Sequence, residues 1–411
     1  MSFPDKGGNS MTIPALQGLR VLEIGNLVAA PSAGRILADF GAEVIKLESL
    51  DGDPLREWGR PSPTGSSWWW HMQSRNKRLI SVDLKTQEGR KLVHQLAQKC
   101  DVLIENLRPG RLNSWGLGYA DLVEGNPGII YVSISGYGLT GPYQDRPGFG
   151  HIAESMGGIR YVTGFPDMPP VRTGVSLGDE VAALQAVIGA LMALYRRQVD
   201  PEHKGDYVDV ALTESVLALT EAMLPEYLQE GVVQERTGNQ LLRAAPSNIY
   251  PTQDGRWLAI GANSSKTFKS LMTLMDKPEL AEEGGYATNT DRVAHVNQLD
   301  ALISNWTTQR PLDKLLAQLH DAGVPAGAVM DARDIAEDPQ FKAREMVVHV
   351  PGPGETKVGM TGVVPKLLHH GGHIHHAGGN IGEDTKDVLS HLLQLSEDEM
   401  KELERAGIIR G

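Results

Sequence analysis

Cysteine is almost absent. Cys100 stands alone among 411 residues, so no internal disulfide can form, and a reducing compartment suits the chain. Aromatic residues are also sparse, at 6%. There is no basic excess: 51 Asp and Glu outnumber 39 Lys and Arg, giving a net charge of -12. That balance excludes the broad positive face nucleic acid requires, while leaving room for a local pocket that holds a phosphate-bearing ligand. No apolar run reaches membrane-spanning length, and the polar stretch before Leu16 has no leader-like apolar centre. The expectation is a cytoplasmic protein without a membrane. GxxxxGK[ST] is missing, which excludes P-loop chemistry, and HExxH is missing too.

What is present is an alternation of short apolar strands and helices. RVLEIG (20–25), EVIKLE (43–48), LISVDL (79–84), DVLIE (101–105) and GIIYVSI (128–134) read as strands. PSAGRILADFG (31–41), closed by Gly41, and GRKLVHQLAQK (89–99) read as helices between them. HKGDYVDVALTES (203–215) adds a further strand and helix. Strands apolar on both faces and spaced by helices predict an α/β, Rossmann-like, doubly wound parallel sheet. Ligands bind such sheets beyond the carboxyl ends of the strands, so the loops after Gly25, Glu48, Glu105 and Ile134 should converge on one site.

The pattern changes near Pro225. Turn signals at Asn239, Pro246 and Asp254-Gly255, then mostly helical sequence from Lys266 to Ala322, indicate a smaller mixed α+β domain over 225–325. The large domain then comprises 1–215 and the return segment 330–411, ending in a helical tail.

Several motifs carry competing readings. GNLVAAPSAG (25–34) occupies the place of a dinucleotide phosphate loop, and Glu48 the place of a ribose-binding acid. However, Leu27 and Ala30 stand where GxGxxG needs glycine, which speaks against NAD. The histidines His369, His370, His373, His375 and His376 lie among glycines without a ligand pattern, so no metal is expected. Trp68, Trp69 and Trp70 read as packing, and Cys100 as a buried, inert thiol. RNKR (75–78) and NLRPGR (106–111) are basic clusters on loops at strand ends, either solvated or poised for phosphates. Within GVSLGDEVAALQAVIGALMAL (174–194), Val181, Leu184, Val187, Ile188, Leu191 and Leu194 recur at helical spacing. Asp179 at its mouth reads first as a helix cap.

Longer stretches change that balance. LQGLRVLEIGNLVAAPSAGRILADFGAEVIKLESLDGDPLREWG, RNKRLISVDLKTQEGRKL, DVLIENLRPGRLNSWGLGY, YVSISGYGLTGPYQDRPGF, VSLGDEVAAL, KGDYVDVALTES and GVPAGAV occur in that order. Together they resemble the class III CoA-transferase family, the formyl-CoA and carnitine CoA-transferase type, from 16 to 410. GNQLLRAAPSNIYPTQDGRWLAIGA is most similar to the dicarboxylate branch that uses succinyl-CoA.

The resemblance implies CoA transfer between acids, with an acyl-CoA and a carboxylic acid as partners and no separate cofactor. It makes Asp179 the nucleophile, passing through an aspartyl-acyl anhydride and an aspartyl-CoA thioester. It assigns Leu27, Val28 and Ala29 to the pantetheine and thioester, Lys77, Asn106, Leu107 and Arg108 to CoA, and Tyr137 to the substrate. Val28 replaces a glutamine of the oxalate-using enzyme, Ser49 replaces an arginine, and the tetraglycine loop is missing, so oxalate is disfavoured. Acyl-CoA racemisation is the alternative, although PGFGHIAES carries Phe149 and Gly150 where racemases have their His-Asp pair. Nucleotide-dependent redox chemistry is a third reading. The resemblance also implies an interlocked homodimer.

Overall fold

The computed structural model describes residues 13–411; residues 1–12, most of the polar opening, lie outside the described part. The chain forms two compact units. The first comprises the chain up to Ile159, Thr173–Glu221 and Lys342–Gly411; the second comprises Arg160–Arg172 and Ala222–Phe341.

The first unit is built on a seven-stranded sheet. Its strands are β1 (Arg20–Ile24), β2 (Glu43–Glu48), β3 (Lys77–Val82), β4 (Val102–Glu105), β5 (Ile130–Ser135) and β6 (Tyr207–Ala211). The helices in chain order are α1 (Ala29–Asp39), α2 (Trp68–Gln73), α3 (Gln87–Ala97), α4 (Tyr119–Val123), α5 (Gly150–Met156), α6 (Ile159–Val162), all but the first residue of which belongs to the second unit, and α7 (Leu177–Val199). The six strands run parallel in the order β3-β2-β1-β4-β5-β6, the order of a doubly wound sheet. The two-residue Ile409–Arg410 pairs antiparallel with Val82 and Ser81 on the outer edge of β3. The helical tail expected at the C-terminus therefore ends as an edge strand.

Core residues lie on both faces, as a parallel sheet requires. Val21, Val44, Ile104 and Val132 pack with α1 and α7, while Leu22, Ile45, Leu103 and Tyr131 pack with α3 and the C-terminal helices. β3 begins at Lys77, two residues earlier than its apolar run suggests, so Lys77 and Arg78 are strand residues rather than loop residues.

α7 departs from expectation in two ways. Its buried face is small: Ala182, Ala183, Ala186, Ala190 and Ala193 are buried with Val181 and Val187. Leu184, Ile188 and Leu191, whose helical spacing suits a packed face, are 51%, 44% and 41% exposed. Alanine lets α7 lie close on α1 and β5, and the larger side chains turn outward. At 23 residues the helix is also long and apolar enough to cross a membrane by length and composition, where the sequence reading found no run of that length.

The second unit holds a three-stranded antiparallel sheet formed by Ser247–Pro251, Trp257–Gly261 and Ala326–Ala328. The turn at Asp254-Gly255 puts Gly255 at φ 73, where glycine is unstrained. Tyr250, Leu258, Phe268, Leu299 and Leu315 form its core with the helices Ser265–Leu274, Val296–Thr307 and Leu312–Asp321.

Candidate active site

The strand order reverses between β1 and β4, and the loops leaving these two strands face each other there. They are joined directly. Asn106 accepts the Asn26 N–H at 2.8 Å through Oδ1 and donates to the Asn26 carbonyl at 2.9 Å through Nδ2. A Cβ on Gly25 would sit 2.4 Å from the Cβ of Ala30 and 2.9 Å from Asn106 Oδ1, so glycine is required for this close approach.

Leu27 adopts φ 64, a strained conformation for a leucine. Its N–H donates to the Asp53 carboxylate at 3.1 Å, which compensates for the strain. Beneath the loop lies a buried ionic cluster. Lys46 Nζ meets Glu23 at 3.1 Å and Asp53 at 2.9 Å and donates to the Gly25 carbonyl at 2.7 Å. Lys77 Nζ meets Glu23 at 2.7 Å and donates to the Pro31 carbonyl at 2.7 Å. Burial pulls Lys46 down, but Asp53, Glu23 and Glu48 outweigh it and hold the ammonium above its ordinary range. For Lys77 burial prevails over Glu23, lowering it to about 8.

Lys77, expected to contact CoA, is thus a loop anchor with a fully buried side chain. A charge already committed to Glu23 and Pro31 is not presented to a ligand. Arg108 is exposed beside Leu107 and Asn106, where a phosphate can be met. Val28 and Ala29 are buried at the start of α1, with Val28 as its cap residue, and Leu27 is half-buried.

Asp179 is the third residue of α7, and Ser176 occupies the cap position without a side-chain cap bond. The reading of Asp179 as the helix cap is therefore corrected. Among the described residues its carboxylate has no hydrogen-bond or ion-pair partner. It lies against Gly150, where a Cβ would stand 2.2 Å from Oδ2. Burial, with Glu154 and Glu180 adding repulsion, pushes its carboxyl up to about 6. The neighbouring acids are committed elsewhere: Glu154 accepts the Gly178 N–H at 3.3 Å, and Glu180 accepts Ser32 Oγ–H at 2.8 Å with Arg35 3.6 Å away.

Tyr137 follows β5. Its ring packs edge-on against Tyr143 at 5.9 Å, and Cε2 lies 3.3 Å from where a Cβ on Gly148 would be. The two glycines on either side of Phe149 therefore make room for the Gly136 backbone beside Tyr137, 2.7 Å from a Cβ on Gly148, and for the Asp179 carboxylate. Sequence reasoning missed Gly148, Gly150, Glu154, and the Glu23, Lys46 and Asp53 cluster. The visible signals were two charges inside apolar stretches, Glu23 in RVLEIG and Lys46 in EVIKLE.

Glu48 does not serve as a ribose-binding acid, because Arg56 takes both its oxygens at 2.7 Å and stacks over Trp70 at 3.7 Å. Trp70 is fully buried, whereas Trp68 is 44% exposed. Cys100 is buried, which pushes its thiol up to about 12. Within the histidine segment, His370 and His376 bond to backbone carbonyls at 2.8 and 3.0 Å. No group of His, Cys, Asp and Glu among the described residues could hold a metal ion.

Residues 16–385 match CoA-transferase family III. The chain belongs to that family. Over 96% of this chain and 98% of the relative, it is 46% identical to succinyl-CoA–D-citramalate CoA-transferase from Chloroflexus aurantiacus. Human succinyl-CoA:glutarate CoA-transferase is 31% identical over 97% of this chain and 90% of its own. The crystal structure of a CaiB/BaiF family protein from Brucella suis superposes with a TM-score of 0.83 at 36% identity, covering 92% of this chain and 100% of the other. The CoA-transferase is thus an enzyme of mixed α/β architecture with a largely parallel central sheet.

Proposed function

We propose that this CoA-transferase moves CoA from succinyl-CoA to a dicarboxylic acid, with Asp179 as nucleophile. The observation that carries this reading is the Asp179 carboxylate itself, half-buried, unpaired among the described residues and seated on Gly150 at the mouth of α7. A carboxylate needs no partner base, since it is ionised at neutral pH. An Asp179 oxygen attacks the thioester carbon, and CoA thiolate leaves with the electron pair of the C–S bond, giving a mixed anhydride. The thiolate then attacks the Asp179 acyl carbon, forming an aspartyl-CoA thioester and releasing succinate. The acceptor carboxylate repeats the sequence in reverse, leaves as its CoA ester and frees Asp179. Each step exchanges one acyl bond for another, so neither ATP nor a metal enters the balance.

Leu27, Val28 and Ala29 are the proposed lining for the pantetheine arm and thioester, and Asn106, Leu107 and Arg108 the proposed CoA contacts. Tyr137 is proposed to border the substrate. Relatives named for citramalate, malate and glutarate act on acids with two carboxylates, which supports a dicarboxylate acceptor here. A cation would hold the second carboxylate through charge-assisted hydrogen bonds. Arg146 provides one: its guanidinium stacks 3.6 Å over Tyr143, which packs on Tyr137, and it has no acidic partner among the described residues. Racemisation is disfavoured, because Phe149 and Gly150 can carry no proton and the His151 side chain is exposed.

We propose that the protein is an interlocked homodimer. The chain enters the second unit and returns to the first, and α7 leaves Leu184, Ile188, Leu191, Met192 and Tyr195 open to a second copy.

Incubation with succinyl-CoA and hydroxylamine tests the covalent route. A hydroxamate on the peptide carrying Asp179, absent from Asp179→Ala, is the expected result. Normal turnover without any adduct there would sink the nucleophile assignment. Screening acids by mass detection of new thioesters names the acceptor, and Arg146→Met should weaken dicarboxylates while sparing monocarboxylates.

A further inference from the structure

Glu105 closes β4, with Ile24 of β1 on one side and Ser133 of β5 on the other. It is only 6% exposed. Its Oε2 accepts the Leu107 N–H at 2.8 Å, two residues ahead in its own chain, and its Oε1 accepts the Ser133 hydroxyl in a short contact. The titratable groups facing it are the phenols of Tyr131 and Tyr207, and among the described residues no lysine or arginine compensates it. Burial pushes the carboxyl up to about 7.

A buried acid without a cation is costly, and a neutral residue could complete a strand end more cheaply. What Glu105 supplies is direction. By holding the N–H two residues on, it turns the chain sharply out of β4. That turn sets Asn106 against Asn26, where two hydrogen bonds join the loops on either side of the point at which strand order reverses. It also sets where Leu107 and Arg108 are presented. The Ser133 bond anchors the acid to the neighbouring strand, so the turn is referenced to the sheet.

We propose that Glu105 is a positioning residue for CoA capture, fixing the 106–108 loop and, through Asn106, the 25–28 loop, without touching the reacting atoms. This rests on the reading that Asn106, Leu107 and Arg108 hold CoA. The role predicts a particular kinetic division. Loss of the turn should weaken productive binding of the thioester and leave the chemistry at Asp179 intact.

Glu105→Ala should raise KM for succinyl-CoA about tenfold with kcat within about twofold, in line with loss of a charge-assisted hydrogen bond. Glu105→Gln should restore KM, because its carbonyl can accept from Leu107 while its amide donates to Ser133. Ser133→Ala should fall between them. Should Glu105→Ala fail to fold, Glu105→Gln and Ser133→Ala still decide. A lower melting temperature with KM unchanged in Ser133→Ala, or no rescue by glutamine, would overturn the proposal. Binding of CoA is measured calorimetrically beside turnover. A wild type that binds CoA without transferring it defeats the transfer reading, while the variants' CoA affinities still judge Glu105. A wild type that transfers normally, with variants equal to it in KM, defeats the Glu105 proposal alone.

Discussion

Asp179 and Gly150 fit each other so closely that no side chain can stand between them. A Cβ on residue 150 would lie 2.2 Å from Asp179 Oδ2 and 2.7 Å from Cγ, inside any allowed contact. Gly150→Ala should therefore displace the carboxylate from its seat. Residue 150 begins α5, where alanine is a better helix former than glycine, so the fold should survive. The expected result is a loss of transfer of about 10²-fold, the scale set by an ångström of misplacement. Steady-state rates beside a thermal melt check this; an unchanged rate would show that Asp179 moves without consequence.

The pH profile should report Asp179 directly. Burial first, then Glu154 and Glu180, raise its carboxyl from 3.8 to about 6. The nucleophile is the ionised form, so kcat/KM should be level above about pH 7 and fall about tenfold per unit below about pH 6. Stability follows the opposite sense. Because the folded value exceeds the unfolded one, the stability linked to this group is fully present below the unfolded value and lost as pH rises through the folded one. Asp179→Asn should accordingly melt higher than wild type at pH 8, with the gain shrinking as pH approaches 4. Equal melting temperatures at pH 8 would contradict the raised value.

Lys77 and Arg108 should separate under mutation. Lys77→Met leaves Glu23 with Lys46 as its one remaining buried cation, and loss of a buried partner costs about 3 kcal/mol or more. Its main effect should be a lower denaturation midpoint. Arg108→Ala should leave the midpoint within about 0.5 kcal/mol of wild type, as for other surface substitutions, while weakening CoA binding and flattening its salt dependence. The reverse pattern would put Lys77 back among the ligand contacts.

Much of this architecture is legible because strands buried on both faces are apolar over most of their length: RVLEI, VLIE and IYVSIS announce themselves, the buried Glu23 and Glu105 notwithstanding. The converging loops follow from that periodicity. Asp179 was visible only through a motif, since a lone carboxylate near a helix start reads as a cap, and here Ser176 occupies that position. What stayed hidden depends on contacts far apart in sequence. Nothing local to Lys77 shows that Glu23 lies 2.7 Å away, and nothing local to Gly150 shows that its missing Cβ makes room for Asp179. The outward leucines of α7 were hidden for a related reason. Periodicity finds an apolar face, but alanines can form the core while the larger side chains turn outward.

Those outward residues support the final prediction. Leu184, Ile188, Leu191, Met192 and Tyr195 are each at least 41% exposed in a single chain, a stripe that a second copy would cover. Linked rings make a stronger demand than an ordinary interface, because two linked chains cannot separate until one opens. Sedimentation should therefore find a dimer at every dilution reached, down to nanomolar protein, with no folded monomer. Ile188→Glu would place a charge in the covered stripe, and an ordinary dimer would respond by dissociating into folded monomers. An interlocked one has no such escape. It should stay dimeric with a lower denaturation midpoint until fold and association are lost together. A folded, monomeric Ile188→Glu protein would show that the chains are not linked.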